Sequence, residues 1–63
     1  GDSLKGMIRE NLVAERIAIE SYREMIAYLG EDDPTTQRML KEILASEEEH
    51  ADDLSSLLEG MKD

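Results

Sequence analysis

The stretch LKEILASEEEHADDLSSLLEGM, residues 40–61, decides how this chain folds. Leu40, Ile43, Leu54, Leu57 and Met61 recur in alternating steps of three and four, and Glu47 and His50 complete the same series. Such spacing puts seven side chains on one face of an α-helix, the face expected to be buried. Glu47 and His50 are the wrong residues for that face. Burying an ionised carboxylate costs roughly several kcal/mol unless a charge opposes it, and a metal ion is the commonest opposing charge that uses Glu and His together.

Just upstream, GEDDP at residues 30–34 marks a break between helices. Gly30 stands where a left-handed terminating residue is wanted, Asp33 is an N-cap, and Pro34 takes the first position of the second helix. The segment before the break reads as a helix from about residue 3 to 29 with Ser3 as its N-cap, and the second helix runs from about 34 to 60. The turn over 30–33 is short enough to force the two helices antiparallel. No strand pattern competes, so residues 1–63 read as all-α, a single antiparallel helical hairpin.

The first helix carries its own stripe, Ile8, Leu12, Glu15, Ile19, Tyr22, Ile26 and Leu29. Its one charged member is Glu15. That residue lies 15 positions before Gly30, and Glu47 lies 14 after Asp33, so at about 1.5 Å per residue both stand about 21 to 23 Å from the turn. His50 comes one helical turn further out. Three ionisable residues, the exceptions to two apolar stripes, therefore meet at one level and form a candidate metal site. Tyr22 on the same stripe reads either as a core aromatic or as a group near the site. Asn11, one turn before Glu15, is a surface amide or a residue that orients the carboxylate. Met7, Met25, Met39 and Met61 read as core filler.

Composition bounds what such a hairpin can do alone. The chain has 63 residues with no Cys, Trp or Phe; below about 70 to 80 residues one core rarely supplies more than a few kcal/mol. Stability is expected from self-association, from metal, or from both. One hairpin offers two carboxylates and one imidazole, too few to close a site. Pairing two hairpins across a two-fold axis, as a homodimer or within a higher homo-oligomer, covers the remaining apolar surface and doubles the set to four Glu and two His. Sixteen Asp and Glu against seven Lys and Arg give a formal charge of −9, which disfavours nucleic acid and anionic membranes as partners and favours cations. Glu10, Glu20, Glu24, Glu42, Glu48, Glu49 and Glu59 read as solvated helix surface. No segment has the length of a membrane span or the pattern of a signal peptide, and the lack of Cys fits a reducing compartment, so a cytoplasmic location is expected. With Gly1 in place of an initiator Met, the chain reads as trimmed or as part of a longer one.

Glu15, Ala18, Ile19 and Tyr22 form Glu-x-x-Ala-Ile-x-x-Tyr, and residues 47–52 read Glu-Glu-Glu-His-Ala-Asp shortly after Ile43-Leu44. With Asp-Pro-Thr-Thr opening the second helix, these motifs resemble one helical hairpin of the ferritin-like superfamily, closest to bacterioferritin and Dps-like ferritins and most like their C-terminal half. The resemblance covers about residues 8 to 58. It implies a four-helix bundle rebuilt from two hairpins, with a di-iron site shared between two chains. It further implies Glu15 as a terminal carboxylate, His50 as a terminal nitrogen ligand and Glu47 as the bridging carboxylate. Bacterioferritins often hold haem through a Met after the bridging Glu; Glu48 occupies that position here, so haem is not supported.

The function these features imply is Fe(II) binding and oxidation by oxygen or peroxide, a ferroxidase-type step towards iron storage or detoxification. Manganese or zinc suit the same ligands. Two other readings stay open: a metal-free helical dimerisation module whose polar residues fix the register, and an inactive fragment of a larger ferritin-like protein.

Overall fold

A computed structural model describes residues 3–61 and shows two α-helices, α1 over Leu4–Leu29 and α2 over Pro34–Gly60, packed as an antiparallel hairpin. Gly1 lies outside the described residues. Ser3 caps α1: its backbone is extended and its side-chain oxygen accepts the Gly6 N–H at 3.0 Å, satisfying a donor that the first turn leaves without a helical partner. α1 ends at Gly30, where φ is 55°, a conformation that strains any residue with a Cβ. The Gly30 N–H closes the last turn on the Ile26 carbonyl at 3.1 Å. Asp33 then caps α2, accepting from the Thr36 N–H at 3.0 Å and the Thr36 hydroxyl at 2.7 Å. Those bonds, the backbone one foremost, favour the ionised carboxylate and hold the Asp33 pKa below its ordinary value. Gln37 Nε2 donates to the Gly30 carbonyl and ties the start of α2 to the end of α1.

The α1 stripe faces α2 as its spacing requires. Ile8, Leu12 and Ile19 are buried, and Glu15, Tyr22, Ile26 and Leu29 are half-buried. Leu12 and Ile19 join Ala51 in the core, with Leu44, Leu54 and Leu58 packed against them and Leu40 buried nearer the turn.

On α2 the buried line departs from the expected stripe. It runs through Leu40, Leu44, Glu47, Ala51, Leu54 and Leu58, while Ile43 is half-buried, the His50 side chain is 61% exposed and Leu57 is 50% exposed. The apolar surface of α2 is wider than one neighbouring helix covers, and the neighbour takes the flank where Ala51 permits a close approach. The methionines are corrected for the same reason. Met7, Met25 and Met39 are exposed and are not core filler within the hairpin; Met61 is half-buried.

The two sides of the hairpin differ in charge. On one, Arg23 of α1 meets Glu48 of α2 at 2.9 Å, and Arg16 and Lys41 share that side by helical phase. The other is formed by Met7, Asn11, Ala14, Ala18, Ser21 and Met25 of α1 opposite Met39, Ile43, Ser46, His50, Asp53 and Leu57 of α2, where Asp53 is the one acid in either line. Among the described residues no helix is long and apolar enough to cross a membrane.

Candidate metal centre

The hairpin brings Glu15, Glu47 and His50 together: one ligand atom from each lies within 4.8 Å of the others. Local packing explains the convergence. Leu12 and Ile19 lie about one turn to either side of Glu15 and both enter the core, so α1 must aim Glu15 at α2. Ala51, one turn from Glu47, enters the same core and aims Glu47 at α1. His50 lies at the edge of this contact, with Nδ1 turned inwards to 3.5 Å from Glu15 Oε2.

The electrostatics of the trio share one sign. Glu15 Oε2 is buried and has no hydrogen-bond partner, a situation that costs about 1–3 kcal/mol for an ordinary buried acceptor. Glu47 has its pKa raised, first by hydrogen bonding with the Glu15 side chain, then by loss of solvent and by the Glu15 charge, with His50 opposing. A cation among the three would give the orphaned oxygen a partner and offset the crowding of two carboxylates. Around a first-row ion with bonds of about 2.0–2.2 Å, ligand atoms lie up to about 4.4 Å apart, so a modest carboxylate rotation brings this trio into range. The donor set fits iron, manganese or zinc, and three ligands leave coordination positions open.

Asn11, Glu15, His50, Asp53 and Leu54 line a cleft beside the trio. Asn11 thus does share the neighbourhood of Glu15. Asp53 was not singled out from the sequence, although its place three residues after His50 was the signal that could have found it. Tyr22 is half-buried on α1, one heptad nearer the turn. Glu48 pairs with Arg23 across the helices instead of standing free in solvent. A second cleft near the turn is lined by Met25, Tyr28, Leu29 and Leu40 together with Ser21, Glu24 and Thr36.

A family model described as the ferritin-like domain matches residues 1–63. No curated protein matches the chain.

Proposed function

This chain belongs to the ferritin-like domain family, and from that premise we propose that it binds Fe(II) as substrate at Glu15, Glu47 and His50 and oxidises it with oxygen or peroxide. The site in this reading is dinuclear, completed when two hairpins pair into a four-helix bundle, and serves iron storage or detoxification. One observation carries the reading: three donors of the right type converge within 4.8 Å, one of them a buried carboxylate oxygen without a hydrogen-bond partner.

Iron, when bound, supplies the one-electron redox chemistry; the chain supplies the ligands and their surroundings. Glu15 and Glu47 give hard oxygen donors and offset the cationic charge. His50 offers Nδ1 as a neutral imidazole, while its exposed position leaves the outer edge of the site open to a second hairpin. A protonated Glu47 must lose its proton as a cation enters, so affinity rises with pH through the raised Glu47 pKa. Leu12, Ile19 and Leu54 keep the inner side of the site apolar. Manganese or zinc bind the same donors in competition.

A metal-free reading has one observation in its favour. The close approach of Glu15 and Glu47, among three donors within 4.8 Å of one another, is also a polar contact between α1 and α2 that can fix their register without any ion. Aerobic addition of Fe(II) separates the two. The ferroxidase reading expects a gain in ferric absorbance above buffer that Glu47→Ala abolishes; a wild-type rate equal to buffer removes it.

A further inference from the structure

We propose that Asp53, with Asn11 across the cleft from it, is the capture point for a divalent cation on its way to Glu15, Glu47 and His50, and that it sets how fast the ion enters and leaves, not how tightly it is held. The inference rests on the metal-binding reading above and adds to it a route. That route is the cleft of about 310 Å³ lined by Asn11, Glu15, His50, Asp53 and Leu54. Asp53 is its one carboxylate besides Glu15.

Helical position separates Asp53 from the ligands. It lies three residues beyond His50, about 4.5 Å further along α2 and about 60° round it. It stands outside the group of three donors that lie within 4.8 Å of one another, so it reaches an ion at that site through water. Asn11 stands one turn out from Glu15 on α1 and offers a neutral carbonyl oxygen to the same water. The cleft has room for it. An octahedral shell of six waters fills about 180 Å³ at about 30 Å³ each, so Asp53 and Asn11 can hold the hydrated ion before its shell is shed. Glu15 Oε2, buried and without a hydrogen-bond partner, and His50 Nδ1, 3.5 Å from it, then displace the waters.

Charge picks this entrance. Arg16, Arg23 and Lys41 stand on the opposite side of the hairpin and repel a cation from that approach. On the side of the cleft the two lines hold no base, and Asp53 is their one acid. A carboxylate at the rim of a cleft walled by apolar groups such as Leu54 concentrates the field at the opening. Glu49 and Asp52 are exposed acids on the back of α2 that line no part of it.

A residue touched only in passage lowers the barrier in both directions. Removing it slows entry and release alike, whereas removing a ligand weakens binding and hastens release. Co(II), whose visible absorption reports coordination by protein ligands, is the probe. Titration gives the dissociation constant, an EDTA chase in stopped flow gives the release rate, and the two together give the entry rate, all in about 0.15 M salt to screen charges beyond about 8 Å. Asp53→Asn should slow entry and release about tenfold, the low end of what steering clefts achieve, with the dissociation constant unchanged and helicity equal to wild type. Asp53→Glu, which keeps the charge, should restore most of both rates. Asp52→Asn, which changes the net charge equally but away from the cleft, should alter neither. Faster release with weaker binding in Asp53→Asn makes Asp53 a ligand and overturns the proposal. Unchanged rates, or equal slowing in Asp52→Asn, overturn it too while sparing the metal site. A wild-type chain that develops no Co(II) absorption removes the metal-binding reading itself.

Discussion

Replacing Glu15 by Gln should make the metal-free hairpin more stable and the metal-loaded one less so. In the wild type, Glu15 Oε2 is buried with no partner, and the side chain as a whole keeps 26% exposure. The low end of the usual penalty for an unsatisfied acceptor, about 1 kcal/mol, therefore applies. The Gln amide can donate to Glu47 and removes one of two crowded negative charges, so Glu15→Gln recovers about that amount. For a domain of this size, about 1 kcal/mol moves the melting temperature by about 4–8 °C. In metal at 100 times its dissociation constant the wild type gains about 2.7 kcal/mol, which the variant forgoes, and the order of the two melts reverses. The pH dependence adds a sign. A carboxyl whose folded pKa is raised gives stability that is present below its unfolded value and lost as pH rises through the folded one; Glu47 is such a group. At the acid end Glu47 of the wild type is itself protonated, so the advantage of the variant should shrink as pH falls towards 4.5. Thermal melts by far-UV circular dichroism at fixed chain concentration, in EDTA and in Mn(II), measure all of this. A Glu15→Gln chain that melts below wild type in EDTA at neutral pH would refute the reasoning.

Other substitutions probe the fold itself. Ile19→Ala, which empties the centre of the only core shared by α1 and α2 among the described residues, should cost about 2–5 kcal/mol and leave the metal-free chain largely unfolded in urea titrations. Gly30→Ala forces a Cβ onto φ 55°, ψ −133°, outside the left-handed helical region, and should cost about 1–3 kcal/mol even though nothing lies near enough to clash, seen as a lower urea midpoint with unchanged slope. Asp33 has a lowered pKa, so its capping stabilises α2 above its unfolded value of 3.8 and is lost as pH falls through the folded one; Asp33→Asn should flatten that acid limb of the stability profile.

The ends of both helices were legible because the forces that set them are local. Ser3, Gly30, Asp33 and Pro34 act within a turn of their own positions. The α1 stripe was legible because it is narrow and has one partner to face. α2 was misread by one flank because Leu44, Ala51 and Leu58 offer an apolar line beside Ile43, His50 and Leu57, and which line a neighbour takes depends on how closely the two backbones can approach. Ala51 decided that, and a small residue barely registers in a hydrophobic pattern. The level shared by Glu15 and Glu47 was legible from turn arithmetic. The partnerless oxygen of Glu15 and the Arg23–Glu48 pair depend on rotamers across two helices and leave no trace in spacing.

The four-residue connection between Leu29 and Pro34 has a consequence for how such a chain can change length. It works as a fixed origin from which each helix measures out its ligand. One residue inserted between Glu15 and Gly30 would slide Glu15 by about 1.5 Å and turn it by about 100°, away from Glu47. A length change on the turn side of the site is therefore neutral only when both arms change together by about seven residues, the step that nearly restores the phase of a helix. Beyond the site, towards Ser3 and Met61, no such counting applies. Insertions and deletions should accumulate in those outer arms and be purged from the inner ones.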